Sequence, residues 1–378
     1  MLFVSYNEDT NSDSALARKG KVMKRCVIVG YGGMGSWHAR HIMERGGVEL
    51  AGIFDIKQER IALAKEKGIY AYPSFEAVLA DESVDFITIA TPNELHKPLA
   101  IAALRAGKHV ISEKPVTLSS ADLADICNVA NECGKLFTVH QNRRWDSDYR
   151  LIRDLYHSGK LGKVTSVESR YHGSRGIPGD WRGKKEHGGG MIFDWGIHLI
   201  DQMFGIVDDR KLLRVYCKCD HITNDEVDDG FKLDMYFEGD LTARIEVGTT
   251  NFIRLPRLYI TGVNGAGLVN DWKDDCQVVL CRTWEDKDVA PVVTAAGFTK
   301  TMAPRDAKTT LEEQIKSPQT EVHEFYHNFA AAIDGKATQY VTHKQLARSM
   351  RVMEAAFRSD ALGAPVDFED IETEPREF

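Results

Sequence analysis

Asp194 and His198 stand four positions apart in Gly188-Gly-Gly-Met-Ile-Phe-Asp194-Trp-Gly-Ile-His198-Leu-Ile-Asp201. A helix over Met191 to Phe204 would turn both side chains to one face. Lys114 lies 80 positions upstream of Asp194, in Glu113-Lys114-Pro115, directly after the short apolar run His109-Val-Ile-Ser112. A histidine titrates near neutral pH and can take a proton from a hydroxyl. A lysine can stabilise that oxygen as it becomes an alkoxide. The aspartate can hold a neighbouring hydroxyl or orient the imidazole. Such a set suits oxidation of a secondary alcohol if a hydride acceptor meets the same carbon. His198 alone would read as a satisfied structural histidine.

The residues for a hydride acceptor are present. Gly30-Tyr-Gly32-Gly33-Met34-Gly35 follows the β-branched run Arg25-Cys-Val-Ile-Val29 and opens onto a helical pattern from Ser36 to Glu44. Gly30 permits the tight turn, Gly32 lets backbone approach a pyrophosphate, and Gly35 lets helix and strand pack closely. The helix N-terminus offers unpaired N–H groups to phosphate. A second apolar run ends at Asp55, 20 residues after Gly35. A carboxylate there accepts from ribose hydroxyls and repels a 2′-phosphate, which favours NAD; nearby Lys57 and Arg60 leave NADP open.

These residues need an alternating frame. The chain has 378 residues and net charge −8, which suggests two domains and argues against nucleic acid or an anionic membrane surface as the main partner. No stretch approaches the roughly 20 apolar residues that span a bilayer. Seven cysteines without ligand spacing fit reduced thiols in a cytoplasmic protein; Cys217 and Cys219 read as strand neighbours, and no metal site is expected. Strands at Phe86–Ala90, His109–Ser112 and Leu136–His140 alternate with helices at Gln58–Lys67, Ser74–Leu79, Pro98–Gly107 and Ser119–Cys133. Ligands bind at the carboxyl edge of such a sheet. Beyond Tyr149 a helix (Asp148–His157) precedes longer alternating runs at Val164–Tyr171, Leu212–Asp220, Gly230–Glu238, Leu241–Thr250 and Arg257–Gly262, read as antiparallel. Asp286–Pro318 reads as an irregular arm, and helices at Val322–Ile333 and Lys344–Ser359 close the chain. The expected units are a mobile extension (1–22), a dinucleotide domain (23–143) and a substrate and oligomerisation domain (144–378).

The glycine turn, Glu113-Lys-Pro115 and the Asp194-x-x-x-His198 helix occur together in this order. The chain thereby resembles the glucose–fructose oxidoreductase / inositol dehydrogenase (Gfo/Idh/MocA) family, from about Lys24 to Val366. The resemblance implies a Rossmann domain followed by an α+β domain with an open, mainly antiparallel sheet that builds dimers or tetramers. It carries Lys114, Asp194 and His198 over as the catalytic set of cyclitol and sugar dehydrogenases. It also implies nicotinamide-side contacts from Thr91, Pro92, Asn93 and His96, a ribose contact from Glu113, and a Pro115 peptide that is cis. Gln141-Asn142-Arg143-Arg144-Trp145-Asp146 resembles the family's inter-domain crossing, with Asn142 and Arg143 reaching the cofactor or substrate; surface ion pairing accounts equally well for the two arginines. The loop His172 to Arg182, with Trp181, has the mixture that stacks on sugars and binds their hydroxyls. Lys184, Lys185 and His187 read as a solvated charge cluster.

Hydride exchange with a sugar, cyclitol or glycoside is the leading expectation. A glycoside-processing enzyme that retains its nicotinamide and oxidises C3 transiently is the alternative. A catalytically silent dinucleotide sensor is the third reading, disfavoured because all three candidate catalytic residues are kept.

Overall fold

The computed structural model describes residues 23–285 and 289–371. The extension expected over 1–22 therefore lies outside the described residues, as do the first residues of the expected arm (286–288) and the last seven residues of the expected 144–378 unit.

The first half alternates as its sequence pattern requires: β1 (Lys24–Val29), α1 (Gly33–Arg45), β2 (Val48–Phe54), α2 (Gln58–Glu66), α3 (Phe75–Ala80), β3 (Phe86–Ile89), α4 (His96–Arg105), β4 (His109–Ser112), α5 (Ser120–Glu132) and β5 (Phe137–Val139). The five strands pair in parallel in the order β2-β1-β3-β4-β5. Strands such as β3 are buried throughout, because helices cover both faces of a parallel sheet. The chain reverses its direction of growth between β1 and β3, and a crevice opens there at the carboxyl edge. Ser74 caps α3 and Ser119 caps α5, each accepting a backbone N–H. Helix α4 starts at His96, two residues ahead of the expected Pro98, which places the proline inside its first turn.

After α6 (Ser147–His157) the chain enters a nine-stranded sheet. It contributes β6 (Val164–His172), then a π-helical turn at Ile192–Gly196 that runs into α7 (Ile197–Ile206). There follow β7 (Leu212–Asp220), β8 (Gly230–Phe237), β9 (Leu241–Gly248), β10 (Leu258–Gly262), β11 (Gly265–Val269) and β12 (Cys276–Cys281). A small hairpin of β13 (Val292–Thr294) and β14 (Gly297–Thr299) precedes β15 (Thr310–Ile315). The chain closes with α8 (Glu324–Ile333), α9 (His343–Leu362) and the short β16 (Val366–Asp367). The sheet order is β15-β12-β11-β10-β6-β9-β8-β7-β16. All its pairs are antiparallel except β6 with β9.

Two expectations change. The stretch read as an irregular arm supplies β15, an edge strand paired with β12 through six residues; its sequence, Thr-Leu-Glu-Glu-Gln-Ile, lacks the apolar face that marks an interior strand. The chain also returns to the parallel sheet at its end. Phe329 of α8 meets Phe86 of β3 edge-on at 5.5 Å, and Thr138 Oγ1 donates to the carbonyl of Val341 at 2.9 Å. Helix α9 begins with a reciprocal cap between Thr342 and Gln345 and ends at Gly363, whose φ of +60° suits glycine.

Candidate active site

The glycine turn is made by close backbone approach. A Cβ on Gly35 would lie 1.8 Å from the carbonyl oxygen of Gly30, and one on Gly30 would lie 2.5 Å from that of Ala90. Only glycine lets α1 start that close to β1. Gly32 and Gly33 differ: a Cβ on either meets nothing within 4 Å. Their backbone faces open space, as a bound pyrophosphate requires. Helix α1 has no acidic residue in its first turn and no side-chain cap, so its first N–H groups remain available to an anion. Asp55 braces the turn from the end of β2. Its Oδ2 accepts the Tyr31 N–H at 2.6 Å and its Oδ1 accepts the Lys57 N–H at 2.8 Å. Each oxygen keeps a second lone pair, so the residues present fit a dinucleotide whose ribose reaches Asp55.

The turn opens into a cavity of about 590 Å³ lined by Gly33, Met34, Thr91, Pro92, Asn93, Glu113, Lys114, Asn142, Arg143, Trp181, Arg182 and His198. It therefore joins the glycine turn, the loops after β3 and β4, the crossing after β5, the β6–α7 loop and the start of α7. Lys114 Nζ donates to Asp194 Oδ1 at 2.9 Å and to the Asp194 carbonyl at 3.0 Å. Arg182 Nε donates to Asp194 Oδ2 at 2.9 Å. Burial pushes the Asp194 carboxyl up, but Lys114 and Arg182 outweigh it and hold the group ionised. His198 is 4 % exposed. Burial, then the charges of Lys114 and Arg143, hold its proton affinity well below that of a free imidazole. A neutral ring at neutral pH is what a proton acceptor requires. Its Nδ1 is buried and has no hydrogen-bond partner among the described residues, which leaves Nε2 as the nitrogen available to the cavity.

Asp194 and His198 were expected on an α-helix. Asp194 instead lies in the π-helical turn that runs into α7, a distortion common at functional positions. Asp228 holds the head of that turn: its Oδ2 accepts the Ile192 N–H at 2.8 Å and its carbonyl accepts the Met191 N–H at 3.0 Å.

Other expected residues fall in different places. His96 does not line the cavity. It is a buried strut between the carbonyls of Pro115 (2.9 Å from Nδ1) and Thr91 (3.0 Å from Nε2), joining the two loops that do. Asn93 lines the cavity and donates from Nδ2 to the carbonyl of His187 at 3.0 Å, closing the β6–α7 loop over it. The Lys114–Pro115 peptide is cis. His172 is corrected: it lies in a separate cavity of about 440 Å³ with Arg170, Arg254 and Trp272, its Nδ1 accepting the Leu255 N–H at 3.3 Å. Surface pairing also fails for Arg144, which is fully buried, forks onto both oxygens of Asp201 at 2.7 Å and donates to the Tyr340 carbonyl at 2.6 Å. Arg143 pairs with Asp146 at 3.0 Å and stacks over Trp195 at 4.3 Å and Trp272 at 4.8 Å. His187 stays partly exposed beside Glu94 and Glu186.

Sequence reasoning passed over Trp195 and Trp272, which hold Arg143, and Asp228, 34 positions beyond Asp194. Contacts between distant segments leave no spacing to read. His38 and His140 were also passed over; the one is five residues beyond Gly33 at the start of α1, the other directly follows β5, and a histidine at a carboxyl edge is a signal that could have marked His140.

A parallel-sheet domain with an anion-ready helix start, joined to an open-sheet domain whose β6–α7 loop and α7 lend Trp181, Arg182 and His198 to a shared cavity, defines a Rossmann-type dinucleotide-binding oxidoreductase architecture. Residues 24–141 match the model of the oxidoreductase family with an NAD-binding Rossmann fold, and residues 149–266 match the GFO/IDH/MocA C-terminal domain. The chain belongs to the Gfo/Idh/MocA oxidoreductase family, and NAD(P) is the cofactor class of its Rossmann domain. It is 43% identical to an NAD-binding protein from Listeria innocua of solved structure, with a TM-score of 0.88 over 92% of this chain and 99% of that one. It is 28% identical over 287 residues to the scyllo-inositol 2-dehydrogenase (NADP(+)) IolW of Bacillus subtilis, covering 75% of this chain and 79% of that protein. It is 35% identical over 187 residues to the uncharacterized oxidoreductase YdgJ of Escherichia coli, a match that takes in 48% of this chain and only 54% of that relative.

Proposed function

We propose that this protein is an NAD(P)-dependent dehydrogenase that exchanges a hydride with a secondary alcohol of a sugar, cyclitol or glycoside. One observation carries the reading: Lys114, paired with Asp194, and neutral His198 both line the cavity into which the glycine turn opens. When bound, the nicotinamide supplies the hydride acceptor. The residues of the chain then have distinct tasks. His198 takes the hydroxyl proton at Nε2. Lys114, held by Asp194, donates a hydrogen bond to the reacting oxygen and favours its alkoxide form. Asp194 accepts from an adjacent hydroxyl once Arg182 yields one of its oxygens. Trp181 and Arg182 line the cavity beside these residues and limit water there.

Asp55 favours NAD over NADP, by the negative charge it places near the 2′ position. IolW, named for NADP(+), supports a cyclitol as the substrate to try first. We further infer a homodimer or homotetramer built through the nine-stranded sheet, in the cytoplasm, where seven free cysteines stay reduced. Among the described residues no helix is long and apolar enough to cross a membrane. Reduction of NAD and of NADP, followed by absorbance against scyllo- and myo-inositol, aldoses and simple glycosides, tests the reading. Net NAD(P)H formation with a polyol supports it. Sugar release from a glycoside without net NAD(P)H would replace it with transient C3 oxidation.

A further inference from the structure

A file of buried polar side chains leads away from Glu113 that none of the tasks above uses. Glu113 Oε1 lies 2.7 Å from His38 Nε2 and 2.9 Å from His140 Nδ1. His38 Nδ1 lies 2.7 Å from the hydroxyl of Tyr326. His38 and His140 are fully buried, Tyr326 is 1 % exposed and Glu113 is 6 % exposed. The four residues come from α1, the turn after β4, the position after β5 and α8, so no local pattern groups them.

The donor set of two nitrogens and one oxygen could hold a metal ion. Its spacing argues otherwise. Ligands about 2.0–2.2 Å from a tetrahedral ion stand more than about 3 Å from each other, whereas these atoms are at hydrogen-bond lengths. The protons can be placed consistently. Although burial pushes Glu113 up, the hydrogen bonds from His140 and His38 hold its carboxyl well below the usual range, so it is ionised and accepts from both rings. His38 therefore donates from Nε2 and accepts the Tyr326 hydroxyl at Nδ1. His140 donates from Nδ1, and its buried Nε2 has no hydrogen-bond partner among the described residues.

The groups that bear on His198 are Lys114 and Arg143, which oppose its protonation, Glu113, which favours it, and His140, which opposes it; Asp194, on its own segment, is engaged by Lys114 and Arg182. Glu113 lines the same cavity as His198 and is an acidic charge that favours the protonated ring from outside its own segment. We propose that the Tyr326–His38–Glu113–His140 chain is a positioning device for His198: it keeps Glu113 ionised and fixed, so that a buried imidazole among cations can carry the proton it takes from the substrate hydroxyl. The proton moves from that hydroxyl to His198 Nε2, and Glu113 stays ionised throughout. This inference rests on the reading of His198 as the base.

The test uses the full-length protein labelled with ¹⁵N-histidine, with the His198 signal assigned by its loss in His198→Asn. In Glu113→Gln the titration of His198 moves to lower pH by about one unit, a tenfold loss of proton affinity. The acid limb of the pH–rate profile with scyllo-inositol moves the same way, and turnover falls about tenfold. Tyr326→Phe, which removes one oxygen, gives a smaller shift of the same sign and carries the test if Glu113→Gln does not fold. A His198 titration and turnover unchanged in the folded variants would overturn the proposal, since packing defects alone do not move a remote histidine's titration. Full turnover in His198→Asn would instead overturn the assignment of the base, leaving the NMR outcome to judge the chain of hydrogen bonds by itself.

Discussion

At the glycine turn the backbone itself makes the site. Gly35 and Gly30 admit an approach that any side chain would block, and Gly32 and Gly33 leave the space beyond them open. At the opposite wall the site is made of side chains drawn from 80 residues apart, with Asp194 clamped between Lys114 and Arg182 and His198 kept neutral by burial and by Lys114 and Arg143. The first wall depends on shape and tolerates no added atoms at two positions. The second depends on balanced charge, which a substitution can upset without disturbing the fold. Binding and chemistry should therefore fail separately.

The largest effect that separates them is expected at His198. In His198→Asn the rate of polyol oxidation falls by about 10³-fold, within the range for loss of a general base, while the Kd for the dinucleotide, read by fluorescence titration, stays within about threefold of wild type. Coupled loss of both would blur the division between the walls. Gly35→Ala should do the reverse. Its Cβ meets the Gly30 carbonyl oxygen at 1.8 Å, an overpacking that costs about 3 kcal/mol and lowers the melting temperature by roughly 4 °C. Gly33→Ala sharpens the contrast, because it has no such clash; it should melt within about 2 °C of wild type yet bind the dinucleotide about tenfold more weakly, 1.4 kcal/mol.

Asp228 joins charge to fold at the head of the π-helical turn that carries Asp194. Burial is the main cause that pushes its carboxyl up to about 7. An acid whose folded value lies above its unfolded value costs nothing while protonated in both states. Its cost therefore grows from about pH 4, where the unfolded carboxyl ionises, until pH passes about 7. Asp228→Asn, which can still accept the Ile192 N–H, should gain stability relative to wild type as pH rises from 5 to 8, by a few kcal/mol in denaturant melts. A pH-independent difference would contradict the buried carboxyl. The smallest effect is expected at Asp55: Asp55→Asn keeps an acceptor but removes the negative charge, and should shift the NAD-to-NADP preference toward NADP by about tenfold, 1.4 kcal/mol of the kind a single exposed charge supplies.

The same division governs how much of the molecule could be read from its residues. Gly30, Gly35 and Asp55 act within one strand–turn–helix–strand unit, and the parallel sheet follows from buried strands alternating with capped helices. The strands β6 to β10 were legible because their buried and exposed residues alternate, but the parallel pairing of β6 with β9 was not. Strand β15 was not, since an edge strand with Glu312, Glu313 and Gln314 in succession carries no apolar face. Lys114, Asp194 and His198 were named because their local motifs are distinctive. Their balance was not legible: Arg182 on Asp194, Arg143 between two tryptophans and Asp228 on the π-helical turn are all tertiary contacts. His172 misled because a histidine at a strand end beside a glycine-rich loop reads as a site residue, whereas the strand's direction carries it into another cavity.

The most direct measurement of the central claim follows the hydride. Wild type and Lys114→Ala/His198→Asn would be incubated with NAD or NADP and with scyllo- and myo-inositol, aldoses and glycosides deuterated at their carbinol carbons, and the nicotinamide recovered for mass analysis. Deuterium at the nicotinamide from at least one polyol with wild type, and none with the double variant under saturating dinucleotide, is the predicted result. Deuterium transfer undiminished in the double variant, or no transfer from any polyol to a dinucleotide shown to be bound by wild type, would contradict it.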